Sequence, residues 1–285
     1  MRRWLWPTLA LPGIIWLVAL FLVPLYVVLA IAFGTVDPIF RTPIPEWNPA
    51  YWNGEQFVYV FDNLALYGPA ILRTFGYTLL ASALCLVIAY PVAYFTARLA
   101  GRWRGVLLAL LIAPFWISYM MRMLAWVNLL QNDGLVNRAL GTQVTWLSGN
   151  GYVVVLGLVY GYVPYAILPL YVGLDRLPAH AIEAARDLGA GRVQTFWRVT
   201  LPLSRPALLA GGLLTTLPML GDYFTNDLLS ASPQTSMVGN LINNAVLAPG
   251  QTGQAAAFVL LVLLVSIVPM LLYVRSTRDT EGTRS

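Results

Sequence analysis

Six apolar runs, each long enough to cross a bilayer, limit most strictly what this chain can fold into. They cover roughly residues 9–33, 70–97, 106–130, 152–174, 205–228 and 256–274, and one helical crossing takes about 20 apolar residues. Inside hydrocarbon every backbone N–H and C=O must find its partner within the protein, and runs of this length satisfy that rule as helices. The expected fold is all-α: an integral membrane protein with six transmembrane helices, forming a single domain over residues 1–285. Composition agrees, with 59% hydrophobic and only 10% charged residues and a mean hydropathy of +0.70, where soluble domains carry about 25% charge.

Six spans place both termini on one side, and the arginines identify that side. Arg2, Arg3, Arg98, Arg102, Arg104, Arg176, Arg186, Arg192, Arg198, Arg205, Arg275, Arg278 and Arg284 fall on inner segments, 13 of the 17 basic residues. Outer segments hold Arg41, Arg73 and Arg138, and Arg122 lies inside the third span. Both termini are therefore expected in the cytoplasm. The net charge of +5 and the pI of 9.4 follow from this orientation and do not indicate nucleic-acid binding. Arg2 and Arg3 ahead of an apolar run resemble a signal peptide, but the run from Trp4 to Phe33 exceeds the roughly 7–15 residues of a signal core, so the segment is expected to be retained. Cys85 is the single cysteine. It excludes an intrachain disulfide and reads as a packing residue.

The chain contains no lysine. A phosphate-binding loop of the GxxxxGK[ST] kind is therefore impossible, and the protein is not itself a P-loop ATPase. His180 is the only histidine and has no second imidazole or thiol near it in sequence, so it reads as a solvated loop residue. With no metal-ligand cluster, nucleophile pair or cofactor loop in the sequence, the chain is expected to be non-catalytic and to hold no cofactor.

The inner loop between the fourth and fifth spans reads EAARDLGAGRVQTFWRVTLP from Glu183 to Pro202. Residues 178–188 fit a short helix with proline near its start and Gly189 past its end, where glycine accepts a positive φ. Ile182, Ala185 and Leu188 form an apolar ridge beside the charged flank of Glu183, Arg186 and Asp187. Such a helix is suited to dock in a groove of a soluble partner. The spacing of Glu183, Ala184, Ala185, Gly189, Val199, Leu201 and Pro202 resembles the EAA loop of ABC-importer permease subunits, with valine at 199 where the family usually has isoleucine. The resemblance implies a type I ABC-importer permease fold. It makes residues 175–204 a coupling loop, with Glu183, Ala184, Ala185, Gly189, Leu201 and Pro202 engaging a separate ATPase. Two copies of that ATPase would hold the ATP and magnesium, and a homologous permease subunit would complete the pair.

The outer half of the fifth span mixes helix breakers and acids. Pro218 removes a backbone donor and Gly221 loosens the helix, so carbonyls near Thr215 and Leu217 need other partners or water, as in a cavity wall. Asp222, Tyr223 and Asp227 follow. Carboxylates at membrane depth are costly unless paired or hydrated, and the same holds for Arg122 in the third span. Two readings stand: a cation path through Asp222, Asp227, Tyr223 and Arg122, or carboxylates that cap the outer end of the span or pair with Arg122. An ion pair of Arg122 with Asp222 or Asp227 would form a gate.

The stretches LGDYFTNDLL, MVGNLI and APFWISYMMRMLAW resemble the permease of spermidine/putrescine-type ABC importers. That resemblance implies a polyamine cargo, an unlike permease pair, an extracytoplasmic solute-binding protein and a place in the bacterial inner membrane. Related importers of ferric iron or aminophosphonates share parts of the pattern, and a secondary carrier or channel is the alternative that would dispense with the ATPase. The first outer loop, residues 34–69, carries Asp37, Glu46, Glu55 and Asp62 against Arg41 alone. Trp47, Tyr51, Trp52, Phe57, Tyr59 and Phe61 crowd the same loop, as an interfacial belt facing membrane lipid or as a docking surface.

Overall fold

The structure is a computed structural model and describes residues 5–282; Arg2, Arg3 and Arg284, used in the orientation argument, lie outside them. In chain order the helices are α1 (Leu5–Leu17), α2 (Val23–Ala32), α3 (Glu55–Asp62), α4 (Leu64–Arg98), α5 (Arg104–Ile112), α6 (Tyr119–Leu130), α7 (Leu135–Leu140), α8 (Gly151–Asp175), α9 (Ala179–Asp187), α10 (Arg192–Thr195), α11 (Leu201–Leu203), α12 (Arg205–Leu220), α13 (Phe224–Leu229), α14 (Val238–Leu247) and α15 (Thr252–Gly282). Two short antiparallel strands, β1 (Thr35–Val36) and β2 (Pro43–Ile44), pair Thr35 with Ile44 and Val36 with Pro43. The fold is the all-α membrane architecture expected.

Among the described residues four stretches, Leu9–Ala32, Leu64–Arg98, Gly151–Asp175 and Thr252–Arg275, are long and apolar enough to cross a bilayer. The third predicted span, 106–130, is bent by 87° between its two halves. Residues Ala113–Trp116 tighten into a 3₁₀ turn, and Ile117 and Ser118 are then extended (ψ 128° and 137°) before α6 begins. Pro114 has no N–H for the carbonyl of Leu110, and its ring crowds that oxygen. The fifth predicted span, 205–228, is likewise divided. α12 is 16 residues long, about 24 Å at 1.5 Å per residue, against a hydrocarbon core of about 30 Å. Its last turn tightens, with Gly221 N donating to Pro218 O (3.3 Å) and Asp222 N to Met219 O (3.2 Å). Residues 221–223 are non-helical, and α13 follows.

The chain divides into two compact units. In the first, residues 5–69 and 241–264, the opening of the outer loop is packed by aromatics. Phe33 stacks on Trp52 (4.6 Å between ring centroids) and lies 4.9 Å from Phe57, while Trp52 Nε1 donates to Glu46 O at 3.0 Å. Trp47, Tyr51, Tyr59 and Phe61 are exposed. The predicted aromatic cluster thus splits into an inward and an outward set.

In the second unit, residues 70–240 and 265–282, α4, α8 and α12 form the core. Ala81, Cys85, Ala89 and Ala93 recur every fourth residue along α4 and are fully buried, a stripe of small side chains that lets helix backbones approach. Cys85 is a core residue here, as expected. At Gly173 of α8 a Cβ would lie 2.2 Å from Ala207 Cβ of α12, so close packing of these two helices depends on glycine at that point.

Candidate functional site

The break after α12 is tied to α6, α8 and α13 through one carboxylate. Asp222 is buried. Its Oδ2 accepts hydrogen bonds from the hydroxyls of Tyr119 on α6 and Tyr162 on α8, each at 2.8 Å, and its Oδ1 accepts from the backbone N–H of Thr225 at 2.9 Å, in the first turn of α13. The Tyr119 hydroxyl also meets Thr225 Oγ1. Small residues on α8 make this convergence possible. A Cβ at Gly157 would sit 2.4 Å from Leu229 Cδ1, and one at Gly161 would sit 2.4 Å from the Tyr119 ring. α12 is joined to α4 just below the break, where Ser82 Oγ meets Thr215 Oγ1 (3.1 Å) and accepts from Thr216 Oγ1 (2.8 Å).

Asp227 is held separately and is exposed in this chain. Asn240, at the start of α14, donates from Nδ2 to Asp227 Oδ1 (2.7 Å) and to Tyr223 O (3.1 Å), while its Oδ1 accepts from Met237 N (2.8 Å). One asparagine therefore fastens Tyr223 and Asp227 to the following helix.

Arg122 pairs with neither carboxylate, which corrects the expected ion-pair gate. Its side chain is buried, its guanidinium carbon lies 5.6 Å from the centroid of the Tyr119 ring, and its Nε has no hydrogen-bond partner among the described residues. The physical reason lies at Asp222. Two hydroxyls and a backbone N–H already satisfy that carboxylate, so Arg122, itself buried, is left against the face of the Tyr119 ring. Tyr119 stands between the two charges, bonded to one and beneath the other.

The predicted loop helix, between α8 and α12, is α9. It ends in a two-bond cap: Gly189 N donates to Arg186 O (2.8 Å) and Ala190 N to Ala185 O (3.0 Å), with Gly189 at φ +85°. This is the Schellman pattern, in which the residue past the helix end is left-handed and two backbone bonds close the cap. The pattern accounts for Gly189 and gives the Ala185 carbonyl its partner. Glu183 and Ala184 are exposed, Ala185, Leu201 and Pro202 half-buried, and Leu188 is 89% exposed. Of the expected ridge, Ile182 and Ala185 are partly covered and Leu188 protrudes. The far end of the loop is a π turn, Phe196–Thr200, ahead of Pro202. Proline cannot close the bond to Arg198 O, and the helix widens there. The same π turn precedes Pro24, at Val18–Leu22.

Sequence reasoning located the carboxylates, Arg122, Tyr223 and the loop residues. It missed Tyr162 and Ser82. Tyr119, Thr225 and Asn240 lay inside the stretches APFWISYMMRMLAW, LGDYFTNDLL and MVGNLI, with no role attached.

The chain is all-α, with several helices apolar and long enough to cross a membrane, a divided fifth span and a capped loop helix. The family described as "Binding-protein-dependent transport system inner membrane component" matches residues 86–281; the chain belongs to that family and is a transport permease subunit. It is 33% identical over 237 residues to the spermidine/putrescine transport system permease protein PotB of Salmonella typhimurium, covering 78% of this chain and 81% of that protein. With PotB of Haemophilus influenzae it shares 33% identity over 239 residues, 81% of this chain and 80% of the relative. Among solved structures, a bacterial alginate ABC transporter in complex with an alginate pentasaccharide-bound periplasmic protein superposes with a TM-score of 0.70 at 20% identity, over 98% of this chain and 96% of that one. That likeness establishes the type I importer permease fold.

Proposed function

We propose that this chain is one of two unlike permease subunits of an ATP-driven polyamine importer in the bacterial inner membrane, with both termini cytoplasmic. Residues 1–285 act as one permease domain, and the partner permease completes the path. Two copies of a separate ATPase hold ATP and magnesium and receive α9 through Glu183, Ala184, Ala185 and Gly189, with Leu201 and Pro202 fixing the loop's return. An extracytoplasmic binding protein delivers the cargo. This chain performs no catalysis and carries no cofactor.

The observation that carries the cargo assignment is the set of donors on Asp222. Every one is neutral, so an ammonium group can replace the tyrosine hydroxyls and gain a charge-assisted bond in their stead. The names of the PotB relatives support the same cargo class. Asp227 and Tyr223 continue the path beside Asp222, and Arg122, held against the Tyr119 ring, stands beside that path as a positive charge that opposes a cation wherever Asp222 does not offset it.

The experiment is ATP hydrolysis by the purified complex in vesicles with its binding protein, adding spermidine, putrescine, ferric iron or an aminophosphonate in turn. Stimulation by a polyamine is the expected result. Stimulation by another solute would discard the polyamine assignment, and absence of any associated ATPase would overturn the importer reading. Asp222→Asn should weaken polyamine uptake roughly tenfold, the scale of one charge-assisted hydrogen bond, with ATPase coupling retained; unchanged uptake kinetics would refute the contact.

A further inference from the structure

The coupling loop is held at both ends by one helix that does not carry it. The loop leaves α8 at Asp175 and returns into α12 at Arg205, yet its entry and exit are both bonded to α4. At the entry, Arg98 Nε donates to Leu174 O at 2.9 Å and its Nη2 donates to Leu177 O. Leu174 belongs to the last turn of α8, whose carbonyls lack helical partners and favour a cation. Leu177 lies in the connector of Arg176, Leu177 and Pro178 that joins α8 to α9. At the exit, the Tyr90 hydroxyl meets Ser204 Oγ at 3.0 Å, and the Tyr90 ring stands edge-on to Phe196 at 5.6 Å. Tyr90 and Ser204 are both buried. A third contact, Arg104 Nη2 to Asp175 Oδ2 at 2.7 Å, reinforces the entry from α5, though both side chains are partly exposed and the pair is screened.

We propose that α4 is the strut that receives the ATPase stroke, with Arg98 and Tyr90 as the positioning residues that link it to the coupling loop. α8 and α12 pack together at Gly173 and Ala207, and the short connector leaves α9 little freedom to pivot while Arg98 holds Leu177 O. A displacement of α9 is therefore passed to α4 at two points. α4 carries it to Ser82, whose hydroxyl contacts Thr215 and Thr216 of α12 immediately before the break at Asp222. Arginine suits the entry because its fork of donors reaches two carbonyls at once, whereas lysine offers a point charge. The proposal rests on the reading of α9 as the ATPase-docking helix, and the test separates the two.

The assay is solute moved per ATP hydrolysed, in vesicles holding the whole complex with its binding protein, together with cysteine crosslinking from His180→Cys on α9 to the ATPase. Arg98→Ala and Tyr90→Phe should each lower the transport-to-ATP ratio roughly tenfold, the scale of losing one hydrogen bond to a charged or buried partner, with the crosslink retained. Arg98→Lys should recover part of the ratio. A purely structural role would lower the amount of assembled complex and leave the ratio of the remainder unchanged. An unchanged ratio with the crosslink intact overturns the strut and spares the docking reading. Loss of the crosslink in the parent His180→Cys protein overturns both. Should Arg98→Ala fail to assemble, Tyr90→Phe, which keeps its ring and loses only the hydroxyl, decides the matter by the same ratio.

Discussion

Gly189 permits a test in which backbone strain and side-chain size make opposite predictions. Its φ is +85° and nothing lies within 4 Å of a Cβ built upon it, so a substituent meets no wall in this chain and the cost is conformational alone. An ordinary residue in the left-handed region costs about 1–2 kcal/mol, which lowers the population of the capped end of α9 roughly 5- to 30-fold. Asparagine tolerates this region better than alanine, and a β-branched residue tolerates it least. Loss of substrate-stimulated ATP hydrolysis by the complex should therefore rise in the order Gly189→Asn, Gly189→Ala, Gly189→Val, with all three inserted in the membrane and Gly189→Val abolishing stimulation. Gly191 provides the control. It also has open space around a Cβ, but its φ is −65°, so Gly191→Val should cost little. A ranking by volume, with Ala milder than Asn, would refute the strain argument and point to a tight partner surface; equal damage from Gly191→Val would refute it too.

Two further substitutions examine the packing that builds the site. Gly161→Ala places a Cβ 2.4 Å from the Tyr119 ring, and overpacking of this kind costs about 1–3 kcal/mol. The thermal midpoint of the detergent-purified complex should fall, while Gly76→Ala, in α4 with open space around its Cβ, should hold or raise it; equal shifts would sink the argument. Asn137 is buried, donates from Nδ2 to Gln131 O, Asn132 O and Val144 O, and accepts at Oδ1 from Thr142 Oγ1 and Trp146 Nε1. Asn137→Ala strands these groups at about 1–3 kcal/mol for each that stays buried. Residues 131–150 should then become readily cleaved in limited proteolysis of the detergent-purified complex, and an unchanged cleavage rate would refute the hub role.

What was legible in the sequence is what short-range physics encodes. The cap of α9 needs only Ala185, Arg186, Gly189 and Ala190, so a local spacing suffices to find it. The carboxylates stood out because a charge in an apolar run is conspicuous. Their partners did not: Tyr119 is 103 positions from Asp222 and Tyr162 is 60, and a register change of one residue swings a helical side chain by about 100°. The Arg122 pairing failed for a related reason. Burial demands that a carboxylate be satisfied, but it does not demand a counter-ion, and Tyr119, Tyr162 and the Thr225 N–H meet the demand with hydrogen bonds from neutral groups.

The prolines show where local rules stop. Each removes one donor and crowds one carbonyl, yet the outcomes differ. Pro24 and Pro202 follow π turns, Pro114 lies in a 3₁₀ turn that leads into the 87° bend, and Pro164 and Pro169 sit inside α8 without interrupting it. α8 is the most enclosed of the continuous apolar helices, with 61% of its apolar window buried. Its course is fixed by neighbours that pack against it on several sides, Ala207 at Gly173 and Tyr119 at Gly161 among them. Where such contacts surround a helix, the released carbonyls are accommodated and the axis continues. At the bend Trp116 is exposed and Phe115 is covered in part, its ring edge-on to Tyr165 of α8 at 4.9 Å, so the axis is less enclosed than that of α8 and the proline turns it. The bend in the third span thus follows from Pro114 in a segment that is enclosed less than α8, α5 having no fully buried residue. It is this bend that starts α6 at Tyr119, within reach of Asp222.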